Sequence, residues 1–118
     1  MIEFGSRART APAPPSAVWE SLTRPRRPGA RPWLDLLPDE IEPVVLAAEP
    51  PDVVVWSSLW PGTPDVRVRF DLSAAGCGTL LRFTLLAAEQ QPDPSKTGHL
   101  RRRMNRLLFA DLRYSYGQ

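Results

Sequence analysis

The hydrophobic and polar positions divide the chain into a region of strands followed by one long helix. Between residues 40 and 89, apolar and polar residues alternate in four runs, at 40–49, 52–60, 65–73 and 78–88. A period of two is typical of strands that are buried on one face. Links of a few turn residues separate the runs, and links this short join antiparallel neighbours. The pattern therefore predicts an antiparallel meander of four strands.

Two further elements are predicted before this meander. Residues 2–10 alternate loosely, which indicates a first strand with its arginines on the wet face. Pro15 fits the first position of a short helix, where the missing N–H costs nothing. In that helix Val18, Trp19 and Leu22 form an apolar stripe, so packing against the sheet must hold it in place.

The last quarter of the chain has the helical period. Asp93 is predicted to be the N-cap, with Pro94 as the first helical residue, and the helix to extend to about Ser115. At about 100° per residue, one side of this helix contains Leu100, Met104, Leu107, Leu108 and Asp111. The opposite side contains Arg102, Arg103, Arg106 and Arg113, which we interpret as its solvated face. The predicted fold class is α+β, with an antiparallel sheet of about five strands packed under a long C-terminal helix.

Composition narrows the class of protein. A chain of 118 residues can form one core, so a single domain over residues 1–118 is expected. The net charge of +2 is too small to indicate a nucleic-acid partner. The single cysteine, Cys77, excludes an internal disulfide and is typical of a reducing compartment. Because there is neither a signal-peptide pattern nor an apolar run of about 18 residues, we expect a cytoplasmic protein without a membrane span.

Short motifs along almost the whole chain occur in a characteristic order. They are Thr10-Ala11-Pro12, Val18-Trp19 with Leu22-Thr23, Pro32-Trp33, Val54 to Trp56, Gly78-Thr79, and Asn105 with Leu107-Leu108. This order resembles the START-like (SRPBCC) superfamily of polyketide cyclases and dehydratases, lipid-transfer domains and the birch-pollen allergen. The resemblance implies the helix-grip fold, in which a long helix covers a curved sheet and an apolar ligand lies between them. About seventeen residues separate the predicted first helix from Glu40. These are too few for a further hairpin that members usually have, so this is a short variant and a shallower, more open groove is expected.

The ligand pocket is predicted from the aromatic residues and from the start of the last helix. Its proposed lining residues are Trp33, Trp56, Phe70, Phe83 and Met104. Aromatic walls with few polar groups suit an apolar ligand, whereas the alternative is that these side chains simply fill the core. The main hypothesis is a groove that binds a small hydrophobic molecule, which is lipid-, sterol- or polyketide-like.

Two polar residues are candidates for a different role. Asp111 falls among leucines on the buried side of the last helix, where burial would raise its pKa or where it would act as a hydrogen-bonded anchor. His99, the single histidine, lies on the first turns of the same helix and is either exposed or a general base at the mouth of the pocket. The second hypothesis is therefore an enzyme of the cyclase or dehydratase type that uses His99 or Asp111.

The third hypothesis is an interaction or oligomerisation module, in which the missing hairpin exposes a sheet edge and allows a homodimer. No cofactor or metal ion is predicted, because one histidine without Cys, Asp or Glu at ligand spacing forms no metal site. Cys77 has no basic neighbour that would activate its thiol.

Overall fold

Five strands form one antiparallel sheet in a computed structural model, which describes residues 1–117. The strands are β1 (Ile2–Ala11), β2 (Val45–Glu49), β3 (Val53–Ser57), β4 (Arg67–Ala75) and β5 (Gly78–Ala87). Their order across the sheet is β1-β5-β4-β3-β2, so β1 and β2 are the two edges. The predicted meander is confirmed, and the first strand of the chain closes onto the last.

The helices cover one face of this sheet. They are α1 (Pro15–Thr23), α2 (Pro94–Arg106), a π-helical segment (Leu107–Leu112) and α3 (Arg113–Ser115), and the last three run on without a break. The carboxylate of Asp93 accepts hydrogen bonds from the backbone N–H groups of Ser95 and Lys96, which confirms the predicted N-cap. The fold is therefore α+β and helix-grip, as predicted. No helix within residues 1–117 is both long enough and apolar enough to cross a membrane.

Two of the predicted strands are shorter than the alternating pattern indicated. The first strand of the meander begins at Val45 rather than at residue 40, because Pro43 has no N–H for a ladder hydrogen bond. The next strand ends at Ser57 rather than at residue 60. There the hydroxyl of Ser58 donates to the carbonyl of Trp60 and accepts from its N–H, which turns the chain away from the sheet.

The helical wheel was wrong for Arg103 and Asp111. Arg103 was expected on the wet side but is buried, whereas Asp111 was expected on the buried side and is only half-buried. In a π-helix residues five apart share a face, so Leu107 and Leu112 both point into the core. This wider turn places Asp111 at the margin of the buried stripe.

Two indole N–H groups hydrogen-bond between α1 and β3, and the end of β1 passes very close to the start of β5. Trp56 Nε1 donates to the carbonyl of Leu22 at 2.8 Å, and Trp19 Nε1 donates to the carbonyl of Val53 at 3.1 Å. A β-carbon on Gly78 would lie 2.3 Å from the carbonyl oxygen of Ala11, so only glycine fits where β5 begins. The predicted inward stripe of α1 is confirmed in Val18 and Leu22, which are fully buried, and Trp19 is half-buried.

The arginines of β1 are exposed, as predicted, but they lie on the other face of the sheet. Arg7 pairs with Phe83 and Arg9 pairs with Leu81 in the register of β1 and β5. Directly opposed residues of an antiparallel pair share a face, and Phe83 and Leu81 belong to the core. Arg7 and Arg9 therefore project on the face that carries the helices, at an edge that the helices leave open.

Candidate functional site

A cleft opens between the first turns of α2 and the connection from β3 to β4. Its volume is about 480 Å³, within the range of roughly 300–1,000 Å³ that is usual for ligand sites. The residues that line it are Asp39, Trp60, Pro61, Gly62, Thr63, Lys96, His99 and Leu100. The wall is mainly apolar, and its polar side chains are those of Asp39, Thr63, Lys96 and His99. We call this space the α2 cleft.

Trp60 is the largest side chain in the wall of the α2 cleft, and the local sequence holds it firmly. Its backbone is bound by the Ser58 hydroxyl, and its carbonyl accepts from the N–H of Thr63 at 3.0 Å, which closes the turn. Its indole Nε1 donates to Glu40 Oε2 at 3.0 Å. The hydroxyl of Thr63 is buried and has no hydrogen-bond partner among residues 1–117. A ligand oxygen in the α2 cleft would find this donor free.

A buried ion pair lies behind Trp60. Arg103 Nε donates to both carboxylate oxygens of Glu40, at 3.1 and 2.9 Å, and Nη2 donates to one of them at 2.9 Å. The side chains of Arg103 and Glu40 are only 7% and 1% exposed. Arg103 Nη2 also donates to the carbonyl of Asp35, and Glu40 accepts from the backbone N–H of Leu37 at 2.9 Å. The pair thus joins α2 to the segment 35–40 and, through Trp60, to the α2 cleft.

The hydrogen bonds keep Glu40 ionised in spite of its burial. Loss of water around the carboxyl acts to raise its pKa, and this is the largest single influence. Donation by Arg103, by the Leu37 N–H and by Trp60, together with the positive charge of Arg103, outweighs it, so the pKa of Glu40 is lowered. Neither Glu40 nor Arg103 was a predicted site residue. The one signal was spacing, since Arg103 precedes the buried Leu107 by four residues.

A second cavity contains the predicted residues Trp33 and Asp111. Its volume is about 440 Å³, and its lining residues are Arg26, Pro32, Trp33, Leu34, Asp35, Asp111 and Tyr114. Burial raises the pKa of Asp111, although Arg106 and Arg103 oppose that effect. The carboxylate of Asp111 makes no hydrogen bond within the part of the chain that the structure describes. Its predicted role as a polar pocket wall or an anchor stays a prediction.

The five residues predicted to line a pocket lie together in one core cluster. Trp33 stacks on Trp56 with ring centroids 6.1 Å apart, and Trp56 meets Phe70 edge-on at 4.8 Å. Phe83 and Met104 are fully buried in the same cluster. Of these five, Trp33 lines the second cavity, and its buried Nε1 has no hydrogen-bond partner within residues 1–117. The space between helix and sheet is filled here, and a ligand role for these five residues stays a prediction.

His99 and Asp111 are not brought together. His99 is exposed and borders the α2 cleft, whereas Asp111 borders the second cavity. The two cavities share no lining residue. Acid–base chemistry by either residue stays a prediction. Among residues 1–117 no three His, Cys, Asp and Glu side chains are grouped so that they could hold a metal ion.

Solved structures with the same architecture were found by comparison of the folds. CalU16 from Micromonospora echinospora is 24% identical, with a TM-score of 0.63 over 87% of this chain and 68% of that one. The protein MLL2253 from Mesorhizobium loti is 21% identical, with a TM-score of 0.65 over 96% of this chain and 97% of that one. The Aha1 dimer from Colwellia psychrerythraea is 15% identical, with a TM-score of 0.65 over 93% and 92% of the two chains.

No protein-family model matches the chain, and no curated protein matches it. The similarity therefore lies in the fold, and there it extends over most of the chain. The five-stranded antiparallel sheet with its C-terminal helix is the helix-grip fold, which these solved structures share and which the sequence motifs indicated.

Proposed function

We propose that the chain binds a small hydrophobic molecule, which is lipid-, sterol- or polyketide-like, in the α2 cleft. The observation that supports this proposal is the open, mainly apolar space beside Trp60 and Leu100, at the end of a helix–sheet interface that is otherwise filled. Apolar surface that stays in contact with water favours association with an apolar ligand. The ligand thus lies at one end of the helix–sheet interface rather than in its centre.

The edge of the α2 cleft favours a ligand with one polar end. Lys96 and His99 project from α2, and Asp39 and Thr63 lie on the opposite side. The unpaired hydroxyl of Thr63 can donate to a ligand oxygen, and Lys96 can bind a carboxylate. An apolar body against Trp60 and Leu100, with an oxygen-bearing end at this rim, would satisfy both kinds of surface.

The test is ligand-induced stabilisation with a variant that fills the α2 cleft. A β-carbon on Gly62 would lie 3.8 Å from Lys96 Nζ, so a larger side chain at this position projects across the opening. We expect long-chain fatty acids or an apolar dye to raise the melting temperature of the unmodified chain, because a ligand that binds only the folded state stabilises it. Gly62→Phe is expected to abolish that shift. Differential scanning fluorimetry measures both effects.

The matched control is Ala74→Phe, which adds the same side chain at an exposed position of β4 that borders none of the cavities described above. Both variants are expected to change the free energy of unfolding by no more than about 0.5 kcal/mol. A full ligand shift in Gly62→Phe would contradict the proposed site. The absence of any shift from a panel of lipids, sterols and polyketides would contradict the proposed function.

A specific observation also favours self-association at the β2 edge. All five residues of β2 are exposed, and the apolar side chains of Val44, Val45 and Leu46 follow one another there. β2 pairs only with β3, so one side of its backbone has no strand partner among residues 1–117. An exposed apolar edge of this kind is a template for another strand. We propose that β2 of a second copy adds to it in a homodimer.

Sedimentation velocity tests the homodimer. We expect the chain to sediment as a dimer at micromolar concentration and Leu46→Lys to convert it to a monomer, since a charge on an edge strand opposes pairing. Leu80→Lys is the control, because Leu80 is also exposed but lies on β5 inside the sheet. A strict monomer at all concentrations, or an equal loss of dimer in both variants, would count against this interface.

A further inference from the structure

A groove with surplus positive charge lies where α2 passes the edge strand β1. Its volume is about 630 Å³. Its lining residues are Ser6, Arg7, Arg101, Arg102 and Asn105. The α2 cleft and the second cavity each include an aspartate, whereas this groove includes no acidic side chain. None of its three arginines forms an ion pair with a carboxylate in residues 1–117.

Two of the arginine side chains in this groove, those of Arg101 and Arg102, each pass close to a glycine. A β-carbon on Gly5 would lie 3.2 Å from Cδ of Arg101, so the stem of Arg101 crosses β1 where β1 has no side chain. A β-carbon on Gly98 would lie 3.3 Å from Nη1 of Arg102, so this guanidinium folds back over the helix at a second glycine. Both arginine side chains therefore lie close against a glycine beside the groove.

The remaining polar groups complete the arrangement. The hydroxyl of Ser6 accepts a hydrogen bond from Arg82 Nη1 at 3.2 Å, and Arg82 itself does not line the groove. Asn105 Oδ1 is buried and accepts no hydrogen bond from residues 1–117. A ligand for this groove thus needs negative charge for the arginines and an O–H that can donate to Asn105.

We propose that this groove binds a phosphate group that retains one proton. The planar guanidinium presents parallel N–H donors that match phosphate oxygens, and a protonated phosphate oxygen is a donor that Asn105 can accept. The phosphate belongs either to a small soluble molecule or to a lipid headgroup. The groove shares no lining residue with the α2 cleft, so this inference is independent of the proposed hydrophobic ligand.

The first test is titration with inorganic phosphate at constant ionic strength, followed by NMR chemical shifts or calorimetry. We expect saturable binding, and Arg101→Gln and Arg102→Gln should each weaken it by roughly two- to fivefold, as is typical for exposed ionic contacts. Arg31→Gln is the matched control, because it removes the same charge from an exposed loop position outside the groove. Equal weakening in all three variants would overturn the proposal in favour of general charge screening.

Two glycine variants separate a built site from net charge alone. Gly5→Ala and Gly98→Ala leave every arginine in place but put a methyl group against the side chains of Arg101 and Arg102. The arginine atoms must then move by a few tenths of an ångström, so both variants are expected to weaken phosphate binding, but by less than loss of the arginine does. Unchanged affinity in both variants, with folding confirmed by circular dichroism, would show that the contacts with these glycines do not position Arg101 and Arg102 for phosphate. It would overturn that part of the proposal.

Two further experiments identify the class of ligand. Sulfate has no O–H at neutral pH, so it is expected to bind more weakly than phosphate, and Asn105→Ala should remove the difference. Vesicles of phosphatidylcholine with phosphatidic acid, compared with phosphatidylcholine alone, show whether a lipid phosphate is also bound. Binding in either the soluble or the vesicle arm, if it is weaker in Arg101→Gln than in Arg31→Gln, supports the site. Binding in neither arm overturns it.

Discussion

Replacing Arg103 with methionine is expected to lower the free energy of unfolding by about 3–5 kcal/mol, because it leaves the buried carboxylate of Glu40 without its charged partner. The variant keeps the length and apolar stem of the side chain but removes three hydrogen bonds to Glu40 and one to the carbonyl of Asp35. Urea denaturation measures the loss. Arg106→Met, on the exposed side of the same helix, is the control and should change stability by no more than about 0.5 kcal/mol.

A double-mutant cycle with Glu40→Gln shows whether the two residues act together. The double variant should be more stable than the sum of the two single losses predicts, since neither charge is then left alone. Part of the loss in free energy of unfolding should remain in the double variant. Trp60 Nε1 and the Leu37 N–H would then donate to a neutral amide oxygen, which is a weaker acceptor than a carboxylate. Simple additivity, or a cost for Arg103→Met no larger than for Arg106→Met, would contradict the account of a buried pair.

The lowered pKa of Glu40 gives this pair a signature in pH. A carboxyl whose pKa is lower when folded than when unfolded contributes stability above its unfolded pKa of about 4.3. That contribution is lost as the pH falls through the folded value, because the unfolded chain then binds the proton more readily. When the free energy of unfolding is measured as a function of pH, Glu40→Gln should therefore reduce its fall at acid pH. At neutral and alkaline pH the curves of the variant and the unmodified chain should run parallel.

The order of the elements could be predicted from local pattern because each element buries one face. Strand β4 alternates buried and exposed residues along most of its length, and α2 begins at the predicted Asp93 cap. Both periods are fixed by backbone geometry, so they are visible in a short stretch of sequence. The same reasoning places the ends of elements less well, because Pro43 delays the start of β2 and the hydrogen bonds of Ser58 end β3 early.

The buried pair could not be predicted in the same way. Glu40 and Arg103 are 63 positions apart, and nothing local to either marks the other as its partner. A charged residue next to an apolar stripe is ordinarily solvated, and this general expectation placed Arg103 on the wet side. The π-helical segment had the opposite effect on Asp111, since a wheel drawn at a constant angle cannot represent its wider turn.

The α2 cleft illustrates a further limit of prediction from the sequence. Trp60 was assigned to a strand and Leu100 to the buried side of a helix, and each assignment treated the residue as part of the core. Both are indeed buried, yet together they border open space, because the turn at residues 60–63 does not close over α2. Whether two buried residues enclose a gap depends on the path of a loop. The aromatic residues that were predicted to line the pocket pack on one another instead.

Replacing Trp56 with alanine is expected to lower the free energy of unfolding by about 3–5 kcal/mol, as for other buried aromatic side chains. Trp56 is 1% exposed, stacks on Trp33, meets Phe70 edge-on and donates to the carbonyl of Leu22. Denaturant unfolding measures the loss, and Tyr114→Ala, at an aromatic residue that is 72% exposed, should cost almost nothing.

This measurement separates a filled core from a ligand pocket. If Trp56 serves the core, Trp56→Ala is strongly destabilised without any ligand, and an apolar dye still protects the folded fraction through the α2 cleft. If Trp56 instead borders a ligand, its removal should cost less than about 1 kcal/mol in the free chain and should abolish the ligand shift. The second outcome would place the ligand at the centre of the helix–sheet interface, among Trp33, Phe70, Phe83 and Met104, and would exclude the α2 cleft as its main site.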